Sequence, residues 1–566
     1  MTEALVGTPI SEADFEEKVL KSPVPVLVEV WASECVPCPM MLRHLEPLLR
    51  PYLSRIRLFS LDASTHRQLA ERFQIRSTPA LLVFLNGQLV AHFVHQVDAA
   101  HIHERLKALL SEGGSEMSKR LLIIGGDAAG MSAASKAKRT DPTVSVVVLE
   151  KGCAVSYAAC GIPYFIAGIV PEATHLLART PEQFSRQGIE VRLGHEALAI
   201  EPARKIVKVR DHQREREYEE PYDELLIATG AIAVKPPIEG ADAPNAFTIR
   251  HYDDGIALKT FLEEHRPKRV TIIGAGYIGM EFAEAFWHLG MEVTVAEMLP
   301  QVFTGIDPDM ATFVERELKE HGVVVRMGEP VIALQRDGKG FVRQVVTPSE
   351  TWETDLVLFG SGVKPNVALA QAAGIPLDET GAIATDERMR TPIEGIWAAG
   401  DCTSVVHLVT GKRVYIPLGP TANKQGRVAG ENMAGGRAPF KGVVGTAIAK
   451  VFRLAVARTG LTEKEAQREG LNFAAVTITA PDKAHYYPGA APTTVKLIAE
   501  KGTGRLLGGQ LVGPVEAAKR IDVLAAALHA QMTVDEVAQL DLSYAPPFAP
   551  VWDPLLVAAQ QLRRKV

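Results

Sequence analysis

The chain has 566 residues, which predicts three to four domains at about 150 residues each, and 47% of them are hydrophobic, enough for large cores. Its formal net charge of −6 argues against a nucleic-acid-binding role for the whole chain. Five cysteines are too few for a disulfide framework and favour the reducing cytoplasm, and no His and Cys residues have zinc spacing, so we expect no metal.

Residues 1–112 predict a small α/β unit. The acidic N-terminus lacks the basic and apolar regions of a signal peptide, and no run in the chain approaches the ~18–20 apolar residues of a membrane span. Cys35 and Cys38 form a CxxC pair after the first strand. The predicted elements are strands at 24–32 and 55–63, a hairpin over 80–94 that turns at Asn86-Gly87, a helix over 99–110 and a flexible linker at 113–118.

The rest of the chain repeats one order of elements. Strand, Gly-rich turn and helix are predicted over 119–138 and again over 268–286, about 150 residues apart. We interpret the second unit as inserted within the first domain, because a strand-plus-Asp segment returns at 391–401. From about residue 446 strand patterns precede a helix, which predicts an α+β C-terminal domain.

Each turn is predicted to bind the pyrophosphate of a dinucleotide. A Gly-rich turn leaves backbone N–H groups free at a helix N-terminus, and a carboxylate about 20 residues on takes the ribose hydroxyls. The acid of the second turn would repel the extra phosphate of NADPH and therefore favours NADH, with NADPH as the alternative. The predicted residues of this site are Gly274, Gly276, Tyr277, Ile278, Gly279, Glu297 and Gly362.

The first turn departs from the pattern, because Asp127 stands where the middle glycine is usual; we expect the neighbouring Gly126 to compensate in part. Two sites indicate two cofactors, FAD and a nicotinamide, unless one turn belongs to a purely structural βαβ unit. The flavin assignment depends on Thr229-Gly230 and on Asp401, which is expected to bond the ribityl chain. The other predicted residues of this site are Gly125, Ala129, Gly130, Glu150 and Lys151.

Cys160 has no cysteine partner at short spacing. A CxxxxC pair could form an internal disulfide, but Val155 stands five residues before Cys160, and Cys153 is seven residues away. A single thiolate can attack an external disulfide or persulfide, or it can cycle through sulfenic acid. The structural alternative is an inert buried thiol.

The segments IIGGDAAGMSAASKAK, SYAACGIPYF, AHYYPGA, KRIDVLAAALHAQMTVDE and YAPPFAPVWDP resemble the single-cysteine flavoprotein disulfide reductases over about residues 119–566. The nearest resemblance is to coenzyme A-disulfide reductases and NADH-dependent sulfur or persulfide reductases. It implies an FAD-dependent homodimer in which Cys160 is the redox cysteine beside the flavin. Ala159 replaces the usual Asn before the cysteine, and Trp552 replaces a lysine; both departures weigh against strict specificity for coenzyme A disulfide.

The resemblance also implies residues for the substrate. Tyrosines of the partner subunit approach the cysteine in this group, and by position these are Tyr487 and Tyr544, which would otherwise be packing aromatics. One stripe of the first helix is polar and could hold coenzyme A phosphates, unless it is a solvated face. The predicted substrate residues are Ser132, Lys136, Arg139, Ser156 and Asn423.

PVLVEVWASECVPC and STPALLVFLNGQ resemble thioredoxin over residues 1–112. The resemblance implies that Cys35 is the attacking thiolate of the pair with Cys38, that Thr78-Pro79 is the cis-proline loop, with Pro79 lining the substrate groove, and that Glu29 stands where thioredoxins bury an aspartate. This chain departs from the thioredoxin pattern at Glu34, Val36 and Pro39.

The predicted architecture is α/β: a thioredoxin fold, two Rossmann-like FAD- and NAD(P)-binding domains and an α+β dimerisation domain. The boundaries are 1–112 for the thioredoxin-like domain, 113–118 for the linker, 119–266 and 386–445 for the FAD domain, 267–385 for the NAD(H) domain and 446–566 for dimerisation. The predicted activity is NADH-dependent reduction, through FAD and Cys160, of coenzyme A disulfide, coenzyme A persulfide or polysulfide. The tethered CxxC unit would exchange thiols with Cys160.

Three alternatives stay open. One is an NADH oxidase or peroxidase that cycles Cys160 through sulfenic acid. Another is a non-catalytic docking role for residues 1–112. The third is reduction of separate thioredoxins, ranked lower because Cys160 is single. A homodimer without nucleic acid or membrane is expected in each case.

Overall fold

The protein is described by a computed structural model that covers residues 7–32, 35, 49, 56–73, 75, 77–85, 87–94 and 118–566. The chain divides into two compact units. One consists of residues 1–121 with the short segments 136–146 and 433–436, and the other of residues 122–135, 147–432 and 437–566.

The described part of the N-terminal unit forms one sheet in the order β1-β3-β2-β4-β5, with β4 and β5 as an antiparallel hairpin. Gly87 takes a positive φ of 78° in the hairpin turn, as the sequence predicts, whereas Asn86 and the predicted helix over 99–110 lie outside the described residues. The strands are β1 Thr8–Pro9, β2 Val26–Trp31, β3 Arg57–Asp62, β4 Ala80–Leu85 and β5 Gln88–Val94, and the helices are α1 Glu12–Phe15, extended as a π-helix over Glu16–Leu20, and α2 Arg67–Arg72.

The first predicted nucleotide unit begins with β6 Arg120–Ile124, α3 Ala128–Thr140 and β7 Ser145–Glu150, in the predicted order. Its next helices are α4 Ile162–Ile166 and α5 Pro181–Ser185, and its next strands are β8 Ile189–Leu193, β9 His195–Glu201, β10 Ile206–Asp211, β11 Arg216–Pro221, β12 Glu224–Ile227 and β13 Ala231–Ala233.

The second nucleotide unit is a parallel sheet with helices on it. Its helices are α6 Tyr252–His265, α7 Tyr277–His288 and α8 Pro308–Glu320. Its strands are β14 Ala246–Thr248, β15 Arg269–Ile273, β16 Glu292–Glu297, β17 Val324–Met327, β18 Ala333–Arg336, β19 Val342–Val346, β20 Thr351–Glu353, β21 Leu356–Phe359 and β22 Val363–Pro365. The main sheet runs β14-β21-β15-β16-β17.

The chain then returns to the first nucleotide unit through α9 Ala368–Ala372, β23 Ile396–Ala398, β24 Val405–Val406, β25 Arg413–Val414 and α10 Gly419–Met433. Strand β23 pairs in parallel with β12, which gives the sheet order β23-β12-β6-β7-β8. This is the topology that an inserted second unit requires, while the domain boundaries themselves stay predictions.

The C-terminal part is an antiparallel sheet, ordered β26-β27-β30-β29-β28, with helices on it. Its strands are β26 Ala447–Val451, β27 Leu454–Gly460, β28 Phe473–Pro481, β29 Pro492–Glu500 and β30 Leu506–Pro514, and its helices are α11 Glu463–Arg468, α12 Ile521–His529, α13 Val534–Val537 and α14 Pro554–Leu562. The predicted α+β character of this region is therefore confirmed.

Burial explains why the central strands carry apolar runs. Strands β12, β15 and β21 are buried along almost their whole length, because helices cover the faces of a parallel sheet. Their carboxyl ends lead into turns that face open cavities, and those turns carry the predicted nucleotide residues.

Candidate active site

The first Gly-rich turn joins β6 to α3 with almost no room for side chains. Gly125 has a φ of 105°, and a Cβ on it would overlap the carbonyl oxygen of Ala228; a Cβ on Gly130 would overlap the carbonyl oxygen of Gly125. Glu150, at the end of β7, accepts hydrogen bonds from the backbone N–H groups of Gly126 and Gly152, each at 2.7 Å. The Glu150 carboxylate and the close backbone contacts therefore hold the turn in place, and the last N–H groups of the turn lie at the start of α3.

A cavity of about 880 Å³ opens on this turn and brings most of the predicted flavin residues together. Thr229 is held there by a hydrogen bond from its hydroxyl to the carbonyl oxygen of Asn366, at 2.7 Å. The N–H groups at the start of α3 and the small residues Gly125 and Gly126 fit a pyrophosphate. The predicted residues that line the cavity are Gly125, Ala129, Glu150, Lys151, Thr229, Gly230, Asp401, Cys160 and Asn423.

The second turn, between β15 and α7, repeats this geometry. Gly274 has a φ of 108°, and a Cβ on it would lie 2.6 Å from the carbonyl oxygen of Gly360, while Gly279 packs against Gly274. Glu297 accepts hydrogen bonds from the backbone N–H groups of Ala275, at 2.8 Å, and Leu299, at 3.0 Å. A cavity of about 1080 Å³ opens here and is lined by the predicted residues Gly274, Gly276, Tyr277, Ile278, Glu297 and Gly362.

Cys160 lies where the two cavities meet. Together with Arg250, Asp401 and the segment 417–420, it lines both of them. Cys160 is an exposed free thiol in a short 3₁₀ turn, Ala159–Gly161, that precedes α4. A group bound in either cavity would therefore be adjacent to this thiol.

An ion pair occupies the same junction. The Arg250 guanidinium donates to the Asp401 carboxylate at 2.7 Å and to the carbonyl oxygen of Ala231 at 3.2 Å. Burial raises the pKa of the Cys160 thiol, the Glu281 carboxylate raises it further, and Arg250 lowers it. Arg250 thus favours the thiolate form that attacks disulfides.

Two residues of this junction were missed from the sequence. Glu281 lies one helical turn after Tyr277, and burial with the neighbouring Glu284 raises its pKa to about 7. Arg250 lies two residues after the end of the short strand β14, and its partner Asp401 is far away along the chain. The i, i+4 spacing from Tyr277 could have indicated Glu281, whereas no local pattern marks Arg250.

The predicted substrate residues differ in their placement. The Ser132 hydroxyl donates to the Asn423 side-chain oxygen at 2.6 Å, so the structure brings these two together. Along α3, Lys136 is half-buried and Arg139 is exposed, and the backbone N–H of Ser156 donates to the Gly126 carbonyl at 2.9 Å. Tyr487 and Tyr544 are 39% and 51% exposed on the C-terminal part, where Phe548 and Trp552 are exposed as well.

In the N-terminal unit, Cys35 is disulfide-bonded and follows β2. Glu29 is buried in β2, and burial raises its pKa to about 7. The Thr78-Pro79 peptide bond is cis, as the resemblance implies. Cys38, Glu34, Val36 and Pro39 lie outside the described residues.

The described residues contain neither a candidate metal cluster nor a candidate membrane-spanning helix. No cluster of three or more His, Cys, Asp or Glu in that part of the chain could hold a metal ion. No described helix has both the length and the apolar composition needed to cross a membrane.

Three protein-family models match the chain. They are the thioredoxin model over residues 7–108, the pyridine nucleotide-disulphide oxidoreductase model over 119–426 and its dimerisation-domain model over 446–554. The matches confirm the predicted α/β architecture, with a thioredoxin fold followed by reductase and dimerisation domains.

Individual relatives match almost completely over the reductase part. The chain is 42% identical over 450 residues to an NAD(P)H sulfur oxidoreductase (CoA-dependent) of Pyrococcus abyssi, covering 79% of this chain and 99% of the relative. It is 34% identical over 449 residues to an NADH oxidase of Methanocaldococcus jannaschii, covering 79% and 99%. The solved NAD-dependent persulfide reductase from A. fulgidus is 43% identical, with a TM-score of 0.76 over 79% of this chain and 83% of that one.

Membership of this group implies FAD and NAD(P)H as cofactors, and both cavities fit a dinucleotide. The chain is an enzyme of the pyridine nucleotide-disulphide oxidoreductase family that carries a thioredoxin domain ahead of its reductase and dimerisation domains.

Proposed function

We propose that the chain is an NADH-dependent flavoenzyme that reduces coenzyme A disulfide, coenzyme A persulfide or polysulfide through the single thiol of Cys160. The observation that carries the proposal is that Cys160 lines both dinucleotide cavities. When bound, the pyridine nucleotide and the flavin supply the two electrons of the reduction. The names of the Pyrococcus abyssi and A. fulgidus relatives give sulfur, coenzyme A and persulfide, and the resemblance of the Cys160 segment extends the proposal to polysulfide and the disulfide.

The thiolate of Cys160 attacks one sulfur of the substrate, the S–S bond breaks, and the other sulfur leaves with its electron pair. For a disulfide, one thiol leaves and a mixed disulfide remains on Cys160, whose reduction by two electrons and protonation release the second thiol. For coenzyme A persulfide the net products are coenzyme A and hydrogen sulfide, and one NADH and one proton are consumed. Arg250 favours the thiolate throughout.

Three features support the finer parts of the proposal. Glu297 ends β16 where it would meet the ribose hydroxyls, which favours NADH over NADPH. Ser132 and Asn423 share a hydrogen bond beside the flavin cavity, where a substrate could contact both. The dimerisation model and the exposed aromatics of the C-terminal part fit a homodimer in which Tyr487 and Tyr544 approach the partner's Cys160.

The thioredoxin domain would exchange with Cys160 through Cys35 and Cys38, or bring it an oxidised or persulfidated substrate. A short flexible linker such as the predicted 113–118 raises the effective concentration of a tethered partner to about millimolar. The low cysteine content favours the cytoplasm as the place of action.

The second candidate is an NADH oxidase or peroxidase, favoured by the Methanocaldococcus jannaschii relative and by the exposure of Cys160. In this reaction Cys160 attacks a peroxide, one hydroxide leaves, and the sulfenic acid is returned to the thiol by two electrons, with water as product. It requires nothing of residues 1–112.

Steady-state NADH oxidation with each acceptor separates the two functions. The acceptors are coenzyme A disulfide, coenzyme A persulfide, polysulfide, peroxide and oxygen, tested on the full chain, on Cys160→Ser and on the double variant Cys35→Ser/Cys38→Ser. We expect sulfur acceptors to be preferred and to lose essentially all turnover in Cys160→Ser. Full sulfur reduction by Cys160→Ser contradicts the proposal, and unchanged activity in the double variant assigns the thioredoxin domain a docking role.

A further inference from the structure

Asp127 is the residue of the first turn that the dinucleotide pattern does not account for. It lies between Gly126 and the first residue of α3, and its carbonyl oxygen accepts the backbone N–H of Met131 at 2.9 Å. Its side chain lines the flavin cavity. A carboxylate thus stands at the place where the turn would receive an anionic pyrophosphate.

The cavity around Asp127 is already rich in negative charge. Glu150, Glu196 and Asp401 line it too, and the cationic side chains that line it are Lys151 and Arg250, the second engaged by Asp401 at 2.7 Å. Glu150 is occupied by the N–H groups of Gly126 and Gly152. A pyrophosphate would therefore add further negative charge to a cavity that carries four carboxyl groups and two cationic side chains.

Every charged group that faces Asp127 affects its titration. Burial raises the pKa of Asp127 to about 7; Arg250 and the backbone of Tyr157 lower it, and Glu150 and Asp401 raise it. Asp127 in turn raises the pKa of the Tyr157 phenol and of the Cys160 thiol. Burial lowers the pKa of His251, whose Nδ1 lies 3.4 Å from the Tyr157 hydroxyl.

We propose that Asp127 takes up a proton when the flavin pyrophosphate enters the turn, so that FAD binding above neutral pH is coupled to the uptake of one proton. The inference rests on the flavin part of the proposed function. Protonation removes the repulsion between carboxylate and phosphate, and the resulting carboxyl O–H can donate to a phosphate oxygen. No change of redox state is involved.

The sign of the pH dependence follows from linkage. The bound phosphate raises the pKa of Asp127 above its value in the free protein, which is about 7. Below that pH the group is already protonated, so binding takes up no proton. Above it, until the pKa of the bound state is reached, the affinity for FAD falls by up to about tenfold per pH unit.

The test is FAD binding by the full chain after reversible removal of the flavin. Flavin fluorescence gives the Kd at pH 6 and pH 8, and calorimetry in two buffers of different ionisation enthalpy gives the protons taken up. We expect the Kd to rise about tenfold from pH 6 to pH 8. About one proton should be taken up at pH 8.

Asp127→Asn should remove both the pH dependence and the proton uptake. Asp127→Gly, which restores the usual glycine, should do the same and covers the case in which the Asn variant folds poorly. Asp541→Asn, an exposed acid-to-amide change, is the matched control and should behave as the unchanged chain. Proton uptake that persists in both Asp127 variants overturns the proposal, as does its absence in the unchanged chain.

Cys160→Ser separates this inference from the proposed activity. It should lose sulfur reduction and keep proton-linked FAD binding. If the unchanged chain reduces the sulfur acceptors but its FAD binding takes up no proton, the role of Asp127 is overturned and the proposed activity stands. A chain that binds no FAD at either pH overturns both.

Discussion

The two Gly-rich turns of the reductase follow one plan but place their small residues differently. In each turn the acid after the second strand accepts two backbone N–H groups, Glu150 from Gly126 and Gly152, and Glu297 from Ala275 and Leu299. The acid therefore stabilises the turn through hydrogen bonds before any ribose is bound. This shared contact explains why both turns keep the acid although their sequences differ.

The difference lies at the second and third positions of the turns. A Cβ on Gly126 would lie 2.5 Å from the Val155 side chain, whereas Ala275 carries its buried Cβ without conflict. A Cβ on Gly276 would meet no atom within 4 Å, and Asp127 has a whole side chain at the corresponding place. Among the protein's own atoms, the neighbouring residues at each position therefore decide whether a Cβ fits.

The largest effect should come from the first glycine of either turn, where the two turns agree. Gly125→Ala and Gly274→Ala each place a Cβ against a backbone carbonyl at a positive φ above 100°. We expect each to weaken binding at its own site by roughly 2–4 kcal/mol, about 30- to 1,000-fold, because backbone strain and overlap add. Flavin content measures the first site, and the NADH dissociation constant measures the second.

Gly276→Ala is the matched control for protein stability. Its Cβ would meet no protein atom within 4 Å, at a φ of −83°. We expect its thermal stability to change by under about 0.5 kcal/mol. Equal losses of thermal stability in Gly276→Ala and Gly274→Ala would contradict the claim that the neighbouring protein atoms decide where a Cβ fits.

A smaller effect is expected at the wall that the two cavities share. Arg250→Met removes the cation that favours the Cys160 thiolate while Glu281 continues to oppose it. The pKa of the thiol should rise, so that alkylation of Cys160 at pH 8 becomes several-fold slower and the midpoint of the rate-against-pH curve moves to higher pH. Arg250→Lys should keep most of the rate. An unchanged midpoint in Arg250→Met would show that the charge does not act on the thiol.

The smallest effect concerns a support that the C-terminal part gives to the second site. The segment Phe303–Asp307 packs against Tyr277, with ring centroids of Phe303 and Tyr277 4.6 Å apart. From the C-terminal part, Arg458 donates to the Gly305 carbonyl at 2.7 Å, and Gln510 donates to the Asp307 carboxylate at 2.6 Å and accepts from its N–H at 2.8 Å.

Arg458→Gln removes the hydrogen bond to the Gly305 carbonyl together with the bond to Gly460 and the ion pair with Glu465, so we expect the KM for NADH to rise about three- to tenfold. Flavin content and kcat at saturating NADH should stay unchanged. Arg505→Gln, which changes an arginine of the same part that pairs with Glu500, is the control. Loss of flavin in Arg458→Gln would mean that the support serves both sites.

The sequence predicts what depends on local pattern. Both turns, their acids and the single Cys160 follow from spacing, and the order of strands and helices around them is confirmed. Asn423 was named for the substrate, but its hydrogen bond with Ser132 joins residues 291 positions apart and has no local pattern.

Arg250 and Arg458 escaped prediction for the same physical reason. Each acts through a partner or a loop that folding alone brings near, and an arginine in a loop or a strand carries no periodic mark. Asp127 was recognised as a departure, but its effect depends on Arg250 and Asp401, which the fold assembles from distant segments.

The return of the chain at β23 also orders events during synthesis. The sheet of the second nucleotide unit uses strands between Ala246 and Phe359, so all of its partners have been made before residue 396 leaves the ribosome. The sheet of the first unit stays open at β12 until Ile396–Ala398 pairs with it. The sheet of the inserted unit can therefore form first, whereas both cavities, which are lined by Asp401 just after β23, are completed only after the chain has returned.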